Sequence, residues 1–320
     1  MRILITGVAG FIGSHLSEKL LSEGHSVIGI DNFDIFYSKQ IKLINLSKSL
    51  SCNAFYFLEA DIQDEKFIKS KITGTFDLVI HLAAKAGVMG SIKNPEEYIS
   101  TNIAGSLSIL NIMQAFCCDK LIFASSSSVY GNGDKIPFKE EQKANSPVSV
   151  YAVTKKSMEL LNYSYFNLYN YKIINFRFFS VYGPRLRPDL AIYKFFDSAY
   201  KSKPVDVYGD GLTARDYTYI EDILDGIVAG VKFLKESQNP IYEIINLGNN
   251  QYIFLKDLIQ QIEELSGIKI IRKNQKLREG EMIITHANIE KAQRLLGYNP
   301  KFNITEGLKK FNEWYEKIGN

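Results

Sequence analysis

Tyr151 and Lys155 are four residues apart in a stretch of helical spacing, so both fall on one face, one turn from each other. A phenol titrates at about 10 and is a poor base at neutral pH. A cation one turn away favours its ionised form, and such a pair can take a proton from a hydroxyl group. Ahead of it lies Ser125-Ser126-Ser127-Ser128, after an apolar run. Ser128, beyond the end of that run, is placed to hydrogen-bond the reacting oxygen and pass the proton. Tyrosine and lysine at this spacing also occur on ordinary helix surfaces; a second feature, at the start of the chain, gives the pair its weight.

Gly7, Gly10 and Gly13 follow the short apolar run Ile3-Leu4-Ile5, the pattern of a strand buried on both faces. They lead into Ile12, Leu16 and Leu20, one face of a helix that Gly24 closes. Glycines at the turn let the backbone approach a ligand and the helix pack on the sheet. The free N–H groups of the first helical turn, where Phe11 and Ile12 stand, suit a pyrophosphate. A second buried run, Val27-Ile28-Gly29-Ile30, ends at Asp31, whose carboxylate can accept both ribose hydroxyls and repels a 2′-phosphate. The pattern predicts NAD rather than NADP, and a positive nicotinamide ring would join Lys155 in favouring the Tyr151 phenolate.

Alternating strands and helices position these groups. After Asp31 and Asn32 comes an aromatic loop, then a lysine-rich helix to about Leu50, a third strand over 54–58, and Asp61-Ile62. Asp61 can reach an adenine amino group or cap the helix of Glu65 to Lys71, and both roles can coexist. A fourth strand over 76–82 ends at Leu82-Ala83-Ala84, followed by small residues through Gly87, which leave room where an open α/β sheet binds its ligand. A helix runs from Thr101 to Phe116; its Asn102 either enters the site or caps. Strands follow at 120–124 and 173–178, with the Tyr151 helix between them beginning near Pro147. This alternation predicts an α/β, Rossmann-like, doubly wound parallel sheet.

Beyond residue 180 the rhythm loosens. The expected organisation is a dinucleotide-binding domain over 1–180, rejoined by a segment near 205–247, and a smaller mixed α/β substrate lobe over 181–320. Helices are expected at 255–265 and 289–296, and a last one starts with Asn303 and Glu306, spaced as a capping box.

The chain has 320 residues, 46% of them hydrophobic, enough for a large core, and a net charge of +3. No basic stripe appears, which argues against nucleic acid. Met1 leads directly into the first strand and no apolar run could span a bilayer, so the expectation is a cytoplasmic protein with no membrane contact. Cys52, Cys117 and Cys118 read as reduced thiols, and the scattered His15, His25, His81 and His286 predict no metal site.

Together the glycine turn, Asp31, the serine run and the Tyr151–Lys155 pair resemble the extended short-chain dehydrogenase/reductase family over essentially the whole chain. Asp31-Asn32-Phe33, Ser125 to Gly131, Arg177 to Pro184 and Arg215 to Ile220 are similar to nucleotide-sugar 4-epimerases of the UDP-sugar group. The resemblance implies that Tyr151 takes the proton of the sugar 4-hydroxyl while the C4 hydride moves to NAD. The 4-keto sugar then turns over and takes the hydride back on its other face, so the cofactor is recycled and tightly held. It implies a cofactor set of Gly7, Gly10, Phe11, Ile12, Gly13, Asp31, Asn32, Asp61, Ile62, Leu82, Ala83 and Ala84, with Tyr151 and Lys155. For the substrate it implies Gly87, Val88, Met89, Ser127, Ser128, Ser180, Arg187, Arg215, Arg278 and Thr285, the arginines at 215 and 278 clamping the diphosphate. A homodimer built on the helices of Asn102 and Tyr151 is also implied.

The Asp-Glu pair of related 4,6-dehydratases is absent after Ser128, as is the glutamate of related decarboxylases, which favours epimerisation. UDP-glucuronate 4-epimerases of the family carry an arginine after Ala-Gly-Val, where this chain has Met89, with Arg185 or Arg187 to compensate. Thr285 falls at a position where small residues admit an N-acetyl group. On these residues UDP-glucose and UDP-N-acetylglucosamine rank ahead of UDP-glucuronate as substrate, the alternative. A dehydratase, or an NAD- and UDP-sugar-binding protein without catalysis, ranks lower.

Overall fold

Strand β1 (Arg2–Thr6) pairs in parallel with a neighbour on each side, β2 (Ser26–Asp31) and β4 (Leu78–His81). With β3 (Phe55–Glu59), β5 (Lys120–Ser126), β6 (Lys172–Phe178) and β11 (Ile241–Leu247) they form one parallel sheet in the order β11-β6-β5-β4-β1-β2-β3. The computed structural model describes residues 1–133, 135–278 and 280–319.

A parallel sheet must be covered on both faces, and the alternation of side chains shows how. Ile3 and Ile5 join one apolar cluster with Leu16 and Leu20 of α1 (Phe11–Ser22). Leu4 joins the other. Beside α1 in the first layer lies α2 (Lys39–Leu50), which gives Leu46 to that cluster; the second layer holds α3 (Glu65–Lys71), the short α4 (Val88–Lys93) and α5 (Pro95–Ile99), α6 (Gly105–Ala115) and α7 (Val150–Tyr169), of which α3, α6 and α7 give Ile68, Met113 and Met158 to the Leu4 cluster. Each such fully buried aliphatic side chain contributes about 1.5–3 kcal/mol. Between α5 and α6 the helix widens into a π turn over Ser100–Ala104, a deformation frequent at functional sites.

The remaining elements are α8 (Ala191–Lys201), α9 (Ile220–Glu236), α10 (Leu255–Ser266), α11 (Glu290–Leu296) and α12 (Ile304–Gly319). With them come three two-stranded pairs: β7 (Ser180–Tyr182) with β10 (Tyr217–Tyr219), β9 (Ala214–Arg215) with β12 (Ile253–Phe254), and β8 (Val205–Tyr208) with β13 (Arg272–Gln275). The expected return of the chain to the sheet is specific: α9 packs beside α1, and β11 adds to the far side of β6 in parallel register. The capping box at α12 is present in both directions, Glu306 N–H to Asn303 Oδ1 at 2.9 Å and Asn303 N–H to Glu306 Oε2 at 3.3 Å.

Two local expectations need correction. Asp61 does not cap α3; it lies too far upstream, and Asp64, one residue before the helix, accepts from Phe67 N–H. The Tyr151 helix starts at Val150 rather than near Pro147, because Ser149 caps it by accepting from Ala152 N–H at 3.2 Å. No described helix is long and apolar enough to cross a membrane.

Candidate active site

The chain leaves β1 for β2 on one side and later returns to β4 on the other, so a crevice opens at the carboxyl ends between β1 and β4, the switch point of the fold. A cleft of about 2020 Å³ starts there and runs to the lobe beyond residue 180. Every residue assigned to cofactor, catalysis or substrate from the sequence lines this one cleft.

The cofactor end fits a dinucleotide. A Cβ on Gly13 would stand 2.2 Å from the Gly7 carbonyl oxygen, and one on Gly7 (φ +71°) would stand 2.8 Å from Ala83 N, so the turn admits no side chain. Among the described residues no side chain caps α1, which leaves the first-turn N–H groups available to an anion. Asp31 is fixed by Ala9 N–H at 3.0 Å and Phe33 N–H at 2.9 Å, one to each oxygen, with lone pairs remaining for ribose hydroxyls. Asn32 donates to Asp61 at 2.8 Å, orienting that carboxylate at the cleft.

Tyr151 and Lys155 are both enclosed on the inner face of α7. The Lys155 ammonium donates to Ala124 O at 2.8 Å and lies 5.9 Å from the Tyr151 ring centre. Burial pushes Lys155 down to about 7. Burial also pushes Tyr151 up, against a hydrogen bond with Ser126 and the nearby Arg187 charge, which pull the other way. Without the nicotinamide ring the lysine is itself desolvated, and the two groups that counter the rise at Tyr151 are Ser126 and Arg187. Ser126 was not singled out in the sequence. Its hydroxyl donates to Ser128 Oγ at 3.0 Å and accepts from Ser128 N–H at 3.2 Å, so Ser128 orients the serine that meets Tyr151. The run of four serines offers no signal that tells these apart; the short 3₁₀ turn over Ser127–Tyr130 does.

Three buried polar sets hold this arrangement. Ser106 donates to Asn102 O at 2.6 Å, so it accepts from His81 Nε2–H at 2.8 Å; Thr6 then donates to His81 Nδ1 and accepts from Ala83 N–H at 3.2 Å. His81 is neutral here, pushed down to about 3 by burial. Arg177 donates from Nε and Nη2 to the two oxygens of Glu159, each at 2.8 Å, and Glu159 also accepts from Ser125, next to Ser126. Asp216 accepts from Asn249 N–H at 2.7 Å, Ala287 N–H at 3.1 Å and Thr218 Oγ1 at 3.2 Å, which joins three segments of the lobe.

On the substrate side the two arginines of the Arg185-Leu186-Arg187 segment part ways. Arg185 turns to α1 and pairs with Glu18 at 2.7 Å. Arg187 lines the cleft, its Nε and Nη2 held by Asp189 at 2.9 and 2.7 Å, with Nη2 also 3.4 Å from Ala86 O. Arg215 is held by Glu281 at 3.3 Å, and the Arg278 guanidinium stacks on Tyr208 at 3.4 Å; Glu279 lies outside the described residues. Thr285 lines the cleft but is nearly fully buried, and its hydroxyl accepts from Asp216 N–H at 3.2 Å, so it anchors the lobe as well as bordering the ligand space. Asn102 neither caps nor enters the cleft; it bonds both backbone groups of Lys85 and the Thr154 hydroxyl.

A glycine turn on a doubly wound parallel sheet, an acid after β2, and tyrosine, lysine and serine around the end of β5 define an extended short-chain dehydrogenase/reductase. A family profile described as GDP-mannose 4,6 dehydratase matches residues 4–311, and the chain belongs to that family. It is 42% identical over 313 residues to a UDP-glucuronate 4-epimerase of Thermodesulfobacterium geofontis, covering 97% of this chain and 95% of the other. Among solved structures it is similar to UDP-glucuronic acid 4-epimerase from Bacillus cereus in complex with UDP-glucuronic acid and NAD, with TM-score 0.91, 35% identity and coverage of 99% and 100%. It is also similar to a UDP-glucose 4-epimerase from Thermotoga maritima with UDP-glucose, with TM-score 0.89, 30% identity and full coverage of both chains.

Proposed function

We propose that the chain is an NAD-dependent isomerase that inverts C4 of a UDP-sugar, and that the sugar is UDP-glucuronate. The relatives named above support the reaction class, and more of those most similar carry the glucuronate name than a neutral-sugar name. The observation that carries the choice of sugar is Arg187. Met89 removes the cation expected after Ala-Gly-Val, but Arg187 brings one into the same end of the cleft, beside Ala86 and within electrostatic reach of Tyr151. Two of its nitrogens are held by Asp189, which leaves Nη1 for a ligand carboxylate. This reverses the ranking drawn from Met89 and Thr285.

When bound, NAD supplies the acceptor for the C4 hydride and returns it. The chain does the rest. Tyr151 accepts the proton of the 4-hydroxyl and gives it back, so the reaction is balanced with no net oxidation. Ser126, steadied by the Ser128 N–H, turns its one hydroxyl proton from Ser128 Oγ to the reacting oxygen beside the phenol. Lys155, anchored on Ala124 O, holds the base in place from the inner side. The arginines at 215 and 278 bind the diphosphate and thereby orient C4 toward Tyr151.

Purified protein incubated without added reductant with UDP-glucuronate, UDP-glucose and UDP-N-acetylglucosamine, its products resolved by NMR, tests this. UDP-galacturonate from the first and little from the others is expected. Epimerisation of a neutral sugar alone overturns the choice of sugar, and a 4-keto-6-deoxy product overturns the reaction class.

A further inference from the structure

The loop after β2 and the segment after β4 meet across the cleft: Asp34 Oδ2 and Lys85 Nζ are 2.8 Å apart. In the sheet, β1 and its glycine turn lie between β2 and β4. A link from one flank to the other therefore passes over the place where the glycine turn would receive a diphosphate. We propose that Asp34 and Lys85 form a strap that closes over the bound dinucleotide and sets its release rate. The inference rests on the NAD reading above and not on which sugar is bound.

Both ends of the strap are built in. Asn102, in the π turn, accepts from Lys85 N–H at 2.8 Å and donates to Lys85 O at 2.9 Å, so the lysine backbone is pinned from below. The Lys85 ammonium also reaches Glu97 at 3.2 Å and sits between two carboxylates. On the loop side, Lys42 donates to Asp34 O at 2.7 Å, and Asp34 N–H and Phe36 N–H donate to the side chains of Asn32 and Asp34, which winds the loop on itself. A third tie comes from the substrate lobe, where the Arg187 guanidinium lies over the Phe36 ring at 5.0 Å. The Tyr37 hydroxyl, in the same loop and bordering the cleft, is buried without a hydrogen-bond partner among the described residues. An enzyme that oxidises and then reduces its own substrate gains nothing by exchanging its cofactor between turnovers, and retention is chiefly a matter of slow release.

The test uses NAD-loaded wild type, Asp34→Asn, Lys85→Met and the double variant. Dinucleotide release is timed after dilution into a large excess of an NAD-scavenging enzyme, and melting of the NAD-stripped chains is recorded alongside. Each single variant is expected to release NAD about two- to fivefold faster, the scale of one partly exposed ion pair. The double variant should be no faster than the quicker single, because both changes break the same link, and the stripped chains should melt with wild type. Wild-type release in both singles overturns the strap. Effects that multiply in the double variant also overturn it, as does faster release with a lowered melting temperature, which marks general loosening. A wild-type chain that binds no NAD overturns the cofactor reading itself, and the strap falls with it.

Discussion

The Ser126 side chain, at the end of β5, is the strongest influence countering the effect of burial on the Tyr151 phenol, in the first turn of α7. Ser128 touches that pair through Ser126. Ser126→Ala is therefore expected to lower kcat by about 10²-fold, the scale of a lost proton-transfer partner. Ser128→Ala should cost several-fold less, and steady-state kinetics on the epimerised sugar compare the two. A larger loss at Ser128 would return the proton-relay role to that residue.

Arg187→Gln should raise KM for UDP-glucuronate by about 10- to 100-fold, the value of one charge-assisted contact to a carboxylate, while KM for a neutral UDP-hexose moves much less. Arg185→Gln, whose side chain turns to Glu18 on α1, should leave this sugar discrimination as it is in wild type. Competition assays with both sugars give the ratio directly.

Lys155 gives the ligand-free chain a pH dependence of known sign. Its folded value is about 7 because burial disfavours the cation, against 10.5 for the free group. Between these values the unfolded chain holds a proton that the folded chain has released, so stability rises with pH across that window and the full penalty is present below it. Denaturant melts at pH 7 and pH 9.5 should differ by a few kcal/mol more in wild type than in Lys155→Met. Equal slopes for the two proteins would mean the lysine stays charged where it is buried.

Asp216→Asn puts an N–H donor where two backbone N–H groups already converge on the carboxylate. Burial raises Asp216 to about 7, yet those donors keep its oxygens as acceptors. Loss of one acceptor in a fully buried site is expected to cost about 2–4 kcal/mol, read from chemical denaturation. Arg215 and Thr285 flank this knot, so KM for the UDP-sugar should rise as well.

The outer faces of α6 and α7 leave Leu107, Val153, Leu160 and Tyr163 exposed, with Leu160 60% accessible. We propose that a second copy of the chain covers them. Sedimentation should give the mass of two chains for wild type and of one chain for Leu160→Glu.

Much of this was legible in the amino acids, and the reasons are local. The β1–α1 turn reads directly because only glycine satisfies its contacts, as the 2.2 Å approach at Gly13 shows. Asn303 and Glu306 announce α12 because a capping box involves residues three apart. Tyr151 and Lys155 share a face through helix geometry alone. What could not be read depends on where elements stop or on partners far along the chain. Ser126 and Ser128 have the same strand parity, and only the start of the 3₁₀ turn separates their roles. Arg185 and Arg187 differ because Glu18, on a distant helix, captures one of them. The helix α9 did carry a signal, with Ile220, Ile223, Leu224, Ile227, Val231 and Leu234 at helical spacing behind Glu221 and Asp222, but it begins directly after a strand and without a side-chain cap.

The insertion of β11 beside β6 has a consequence for the birth of the protein. β6 ends at Phe178 and its edge partner begins at Ile241. During synthesis at typical rates that interval lasts on the order of ten seconds. Throughout it, a nearly all-buried strand of the finished sheet, with Ile173, Ile174 and Phe176, presents an unpaired backbone edge to the cell. The nascent chain is thus most exposed to sticking and to chaperone capture after more than half of it has been made, and a message truncated anywhere before Leu247 leaves that edge permanently open.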